Sequence, residues 1–209
     1  DRPVSDYARL VTQLIDAGRR IVAAGLVQGS AGNLSARLPG GDRYVVTKTG
    51  RWLDELTPGD FVTGSVAAGT AERHATIEWR LHHRTYAARP DAAAIVHLHP
   101  HHALLLAALD QPVRCITLDH QVYLGSVRRV PFRPAGSDDL ARSAAEASVG
   151  CDAVILDHHG SSTIGDSVRM ALRRALVLED AAAMTYQMLL AGDRDTAFPP
   201  AWAGRAIDA

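Results

Sequence analysis

Apolar residues recur at helical spacing from Tyr7 to Ala24. Leu10, Leu14, Ile21 and Val22 mark the inward face, with Asp6, Arg9, Gln13, Asp16 and Arg20 between them. Gly25 is placed to end that helix. The next stretch, GLVQGSAGNLSAR, is small and glycine-rich and reads as a loop. Tyr44 to Thr47 alternates like a strand and runs into a turn at Lys48-Thr49-Gly50. Asp54 to Asp60 is a polar connector, Phe61 to Thr63 a short strand, and Gly64 to Gly69 a loop. Thr76 is positioned to cap a helix that reaches about Arg89, where Pro90-Asp91 breaks it. Ala92 to His97 has the composition of a buried strand, and His101 to Leu109 is helical. Val113 to Leu118 and Val127 to Phe132 read as strands. Ser137 caps a helix from Asp138 to Val149, Ala153 to Leu156 is a short apolar strand, and a last helix covers Ser167 to Leu190, closed by Gly192.

Strands and helices mix without a regular βαβ rhythm, and several connections are short enough for antiparallel pairing. One α/β domain over residues 1–209 is expected, with a largely antiparallel sheet covered by helices. The chain length of 209 residues suits one core, and 47% hydrophobic against 22% charged residues is an ordinary balance. A net charge of -1 gives no general attraction to nucleic acid or anionic membrane, and Arg128-Arg129 is too short a basic cluster to form a groove. No apolar run is long enough to span a bilayer and no signal-peptide pattern is visible, so a cytoplasmic protein is expected. Cys115 and Cys151 lie in apolar runs and are expected to be buried thiols.

Histidine changes the picture. Of ten, His97, His99, His101 and His102 crowd one segment, and His158 and His159 form a pair. At a strand end, His97 and His99 point to the same side, where two imidazoles can grip one cation. A second strand, Ala153 to Leu156, delivers His158-His159 followed by Gly160, which lets the backbone turn and approach closely. Either His158 or His159 could meet the first pair, since a one-residue shift reverses side-chain direction. Glu78, in the first turn of the helix before the His97 strand, adds a carboxylate as ligand or acid–base group; a helix-start glutamate favoured by the dipole is the plainer alternative. Three histidines and a carboxylate suit a divalent metal: zinc first, with manganese, cobalt or iron as alternatives. Such a metal stabilises the enediolate or enolate charge that develops when a bond alpha to a carbonyl breaks. The loops Gly29-Ser30-Ala31-Gly32-Asn33 and Thr47-Lys48-Thr49-Gly50 offer backbone N–H groups and the side chains of Asn33, Lys48 and Thr49 to a small anionic substrate, phosphate or carboxylate.

Together these segments resemble the class II aldolase/adducin family, in its L-fuculose-phosphate aldolase type. The resemblance is carried by Gln28 to Ser35 (QGSAGNLS), Thr47 to Gly50 (TKTG), Glu78 to His99 (EWRLHHRTYAARPDAAAIVHLH) and His158-His159-Gly160, in that order and spacing. It implies a three-layer α/β/α fold, metal ligands His97, His99 and His159, and Glu78 as an acid–base residue that also touches the metal. It further implies substrate-phosphate contacts from Gly32, Asn33, Thr49, Gly50 and Thr76, and a homotetramer with interfacial active sites. Two departures stand out. Thr76-Ile77 replaces a pair of serines, and Lys48 stands where many relatives have proline. The segment TLDHQVYLG lacks the family's tyrosine at its usual point, which leaves Asp119, His120 and Tyr123 as candidates for a second acid–base group; Tyr186, inside the last helix, is expected to pack. The implied activity is retro-aldol cleavage of a small hydroxy-ketone or sugar phosphate. Decarboxylation of a 3-oxo sugar-acid phosphate or a dihydroxy aromatic acid is the alternative, and an adducin-like scaffold the non-catalytic one.

Overall fold

The computed structural model describes residues 5–203. Helix α1 (Asp6–Ala23) starts at Ser5, whose Oγ accepts the N–H of Ala8 at 3.2 Å. The strands are β1 (Asn33–Arg37), β2 (Arg43–Thr47), β3 (Phe61–Ser65), β4 (Thr70–Ala71), β5 (Ala94–Leu98), β6 (Arg128–Val130), β7 (Ala153–Leu156) and β8 (Gly160–Gly165). Between and after them come α2 (Trp79–Ala88), α3 (His101–Ala108), α4 (Leu118–Tyr123), α5 (Asp138–Ser148) and α6 (Val168–Leu190). The eight strands form one sheet in the order β4-β3-β2-β1-β5-β8-β7-β6. Only β6 and β7 pair in parallel, joined by the α5 crossover; every other neighbour is antiparallel.

Helices cover both faces, so the expected α/β/α layering is what the structure shows. The period-two alternation of each strand divides its side chains between two cores. Ala94, Val96 and Leu98 of β5 join α1 and the first half of α6, whereas Ile95 packs with Tyr44, Val46 and Tyr86 on the α2 side. In β7, Ala153 and Ile155 face α3 and α6, while Val154 and Leu156 face Leu81 of α2 and Leu140 and Ala144 of α5. The same rule puts His97 on the α2 face, opposite Asn33 in the β1–β5 register.

Several local expectations need correction. Strand β1 falls in a stretch that reads as loop, and β8 in one whose composition suggests no element, because NLSAR and GSSTIG are polar and small. Both lie in the middle of the sheet, and β8 is buried throughout. Part of its polarity is satisfied internally: Thr163 Oγ1 donates to Ala171 O at 2.9 Å. The strand expected at Val113 to Leu118 is absent. His120 Nδ1 instead accepts the N–H of Ile116 and Thr117 at 3.2 and 3.3 Å, and Thr117 Oγ1 caps α4 through His120 N, so those amides are withdrawn from any ladder. Thr76 does not cap α2; Glu78 holds the N-cap position, and Thr76 Oγ1 accepts the Glu78 N–H at 3.3 Å. Arg128 and Arg129 are structural: Arg128 donates to the carbonyls of Ala147 and Val149 at the end of α5, and Arg129 pairs with Asp157 and Asp110. Cys115 is half-buried and Cys151 buried, both as free thiols. Among the described residues no helix is long and apolar enough to cross a membrane.

Candidate metal centre

His97 sits near the end of β5, and His99 follows it two residues later on the same side. His159 comes from the turn between β7 and β8. The three rings form a near-equilateral triangle, with centroids 5.2 Å (His97–His99), 5.0 Å (His97–His159) and 5.3 Å (His99–His159) apart. Glu78 closes the cluster from the start of α2: one ligand atom from each of the four residues lies within 4.8 Å of every other. The left-handed residue of the β7–β8 turn is His158, at φ 57°, rather than Gly160. That conformation turns His158 out to solvent and His159 inward. Gly160 serves the close approach alone, since a Cβ there would stand 2.5 Å from the carbonyl oxygen of Leu98.

The donor geometry suits a cation. His97 Nε2 and His99 Nε2 lie 3.3 Å apart, which matches the edge, about 3.3 Å, of a tetrahedron with metal–nitrogen bonds of about 2.0–2.1 Å. Glu78 Oε2 is 2.7 Å from His97 Nε2, and Oε1 is 3.0 Å from His159 Nε2. Oε1 nevertheless has no aligned hydrogen bond, as expected when lone pairs aim at a common point rather than at one another. Burial pushes the Glu78 carboxyl up, but the facing His97 and His159 imidazoles outweigh it and hold the group well below the usual carboxylate range. Burial, reinforced by the neighbouring His97 and His159, lowers His99 to about 4, so its imidazole is neutral near pH 7, the form that binds metal.

Beside this cluster opens a pocket of about 420 Å³, bordered by Ser30 to Asn33, Lys48 to Gly50, Thr76 to Glu78, Ala135, His99 and His159. All six residues expected to meet the anion therefore line it. Their donors are less free than the sequence suggests. The Thr49 N–H is bonded to His74 O at 3.0 Å and the Lys48 N–H to Asp60 O at 2.8 Å. Lys48 Nζ donates to Gly59 O at 2.6 Å. Asn33 is only 5% exposed, and its Nδ2 donates to Glu78 Oε2 at 3.2 Å. Ile77 stands out at 61% exposure on the pocket wall.

Asp119, His120 and Tyr123 are carried by α4 and do not border the pocket of their own chain. His120 is fully buried and bonded through Nε2 to Asp180 at 3.0 Å. The Tyr123 hydroxyl accepts from Arg173 at 3.1 Å, and Asp119 is exposed. His102 is engaged by Glu179 at 2.8 Å at the start of α3, and Tyr186 packs beside it in the α3–α6 core. Buried behind Glu78 lie Ser35, His82 and Tyr86, which no motif in the sequence singles out. The usable signal was spacing, because Glu78, His82 and Tyr86 share one helix face at steps of four.

A mostly antiparallel sheet between two helical layers, with imidazoles from two strand ends and a helix-start carboxylate sharing one small volume, defines a metal-site protein of the class II aldolase fold. The chain belongs to the class II aldolase and adducin family: the family profile described as Class II Aldolase and Adducin N-terminal domain matches residues 12–186. It is 34% identical over 178 residues to 5-methylthioribulose-1-phosphate/5-deoxyribulose-1-phosphate aldolase of Rhodospirillum rubrum, covering 84% of this chain and 80% of the relative. It is 29% identical to an L-fuculose phosphate aldolase of Methanococcus maripaludis, over 85% of this chain and 97% of that one. The crystal structure of L-fuculose-1-phosphate aldolase from Thermus thermophilus superposes with a TM-score of 0.81 at 29% identity, covering 96% of this chain and all (100%) of the other.

Proposed function

We propose that this chain is a metal-dependent carbon–carbon lyase that cleaves a ketose 1-phosphate by a retro-aldol step. The observation that supports it most is the convergence of His97, His99, His159 and Glu78, of which Glu78, His99 and His159 border one pocket and His97 is buried behind it. The three imidazoles, with Glu78 as an exchangeable fourth ligand, would hold a divalent cation; zinc fits the nitrogen-rich set and the tetrahedral edge. When bound, that cation supplies Lewis-acid stabilisation of the negative charge that develops on substrate oxygen as the bond breaks.

The protein's own groups do the rest. Glu78 Oε1, free of any aligned donor, takes and returns the proton, while Oε2 stays on Asn33. Gly32, Asn33, Lys48, Thr49, Gly50 and Thr76 orient the anionic end of the substrate, and Ile77 and Ala135 give its other end an apolar wall. The domain acts as a homotetramer, in which Asp119, His120 or Tyr123 of one copy supplies a second acid–base group to a neighbour's pocket. Asp119, exposed on α4, is the best placed of the three.

Zinc-loaded protein should release dihydroxyacetone phosphate from 5-deoxyribulose 1-phosphate or L-fuculose 1-phosphate, read by a coupled reduction. Failure on both, at full metal occupancy, would remove the aldolase reading. A second reading, decarboxylation of a sugar-acid phosphate or aromatic acid, is favoured by Ile77, which places no donor on the pocket wall. CO2 release without aldehyde formation would select it.

A further inference from the structure

Behind Glu78 runs an unbroken chain of buried hydrogen bonds. Asn33 Nδ2 donates to Glu78 Oε2 at 3.2 Å. His82 Nε2 meets Asn33 Oδ1 in a short contact. His82 Nδ1 lies 2.6 Å from Ser35 Oγ, which lies 2.8 Å from the Tyr86 hydroxyl. Ser35 and His82 are fully buried and Tyr86 nearly so, so each polar atom must find its partner inside the protein.

We propose that His82 is a positioning residue, which as its Nε2–H tautomer turns the Asn33 amide so that NH2 rather than carbonyl faces Glu78, and thereby leaves Oε1 as the oxygen available for proton transfer. The inference rests on the reading of Glu78 as the acid–base group. The direction follows from counting donors. A neutral imidazole has one N–H and one acceptor nitrogen. With the hydrogen on Nε2, Tyr86 donates to Ser35, Ser35 to His82 Nδ1, His82 to Asn33 Oδ1 and Asn33 to the carboxylate; every group is used. With the hydrogen on Nδ1, Nε2 must accept from the Asn33 NH2, and the Asn33 carbonyl then faces Glu78 Oε2, oxygen against oxygen. Ser35 Oγ would then accept from Nδ1, and either its own hydrogen or the phenolic one would be left without a partner in the chain. Burial agrees, lowering the His82 imidazole to about 3 and pushing the Tyr86 hydroxyl up, so the first stays neutral and the second keeps its proton.

The test combines a spectrum with a pair of variants in the full chain. Nitrogen-15-labelled histidine, read by NMR in metal-free and zinc-loaded protein, should show His82 protonated at Nε2 alone; a proton at Nδ1 alone overturns the proposal. In zinc-loaded enzyme, His82→Leu removes the donor to Asn33, whereas His82→Gln restores an N–H donor in its place. His82→Leu should lose about 100-fold in kcat with KM changed less than about threefold, and His82→Gln should recover most of that loss. Zinc affinity, measured by chelator competition, should fall less than kcat in either variant, because the three imidazoles are untouched, and kcat is compared at saturating zinc. Equal loss in the two variants, or full kcat in His82→Leu, overturns the proposal. If His82→Leu does not fold, the spectrum and His82→Gln still decide. Absence of ketose-phosphate cleavage by wild type would count against the role of Glu78, and the direction of the hydrogen bonds would then stand or fall on the spectrum alone.

Discussion

Replacing Gly160 with alanine adds a single methyl group at the start of β8, against the histidine cluster. Its Cβ would stand 2.5 Å from Leu98 O, 2.8 Å from His99 Cδ2 and 2.9 Å from His97 Cε1, short of the 3.4 Å ordinary contact by 0.9, 0.6 and 0.5 Å. Leu98 cannot retreat, because it pairs with Ser161 in the β5–β8 ladder. The two imidazoles are the softer neighbours and must swing away. Metal–ligand distances tolerate about ±0.2 Å, so displacements of this size should weaken metal binding about 10–100-fold, comparable to losing a partner that orients the ligands. Overpacking should also cost the metal-free fold about 1–3 kcal/mol. The control is Gly150→Ala, whose Cβ would meet nothing within 4 Å but whose φ of +71° disfavours a side chain; it should cost about 1 kcal/mol and leave metal affinity alone. Competition with a chromophoric chelator measures the first effect, and denaturant unfolding in chelator the second. Metal affinity within about twofold of wild type in Gly160→Ala, with unchanged stability, would refute the close-approach argument, since clashes of this size have to move something.

Three further outcomes follow from the same geometry. His159→Ala should abolish stoichiometric metal uptake while His158→Ala leaves it intact, as metal analysis after dialysis will show, because only the first ring faces His97 and His99. Glu78→Gln should lower kcat about 10²–10⁴-fold with a smaller change in KM, measured by the release of dihydroxyacetone phosphate; unchanged turnover would end its proton-transfer role. Stability should fall with pH below the ordinary histidine value of about 6.5, because the unfolded chain then takes up a proton that folded His82, lowered to about 3 by burial, refuses. The loss, up to about 1.4 kcal/mol per pH unit across that window, is absent above it and should be reduced in His82→Gln when denaturation midpoints are compared at several pH values.

How far the chain could be read depended on whether its instructions were local. Helices α1, α5 and α6 carry their own period and caps, so their positions were legible from spacing alone. The His97–His99 pair was legible for the same reason, since alternation along one strand sets the side to which both point. Strand β8 was not, because GSSTIG becomes a strand only through the two neighbours that pair with it. Nor does adjacency in sequence decide between His158 and His159; the positive φ at His158 does, and it appears only in the folded turn.

The chain behind Glu78 lies between these cases. A helix rises about 6 Å over four residues, and a strand advances about 6.8 Å over two. Where α2 lies along β1, the helical steps Glu78, His82 and Tyr86 therefore interleave with the strand steps Asn33 and Ser35, giving the observed order Glu78, Asn33, His82, Ser35, Tyr86. Each half of the pattern is visible in the sequence, as polar residues at steps of four and of two on faces that should be apolar. What the sequence lacks is the register between them, which the sheet supplies by pairing Asn33 with His97. The same pairing that brings His97 opposite Asn33 thus puts Asn33 within reach of Glu78. The proposed metal ligand, the proposed proton-transfer group and the buried hydrogen-bond chain depend on one strand register, and a one-residue slip of β1 would turn Asn33 and Ser35 to the opposite face and break the chain at both strand positions.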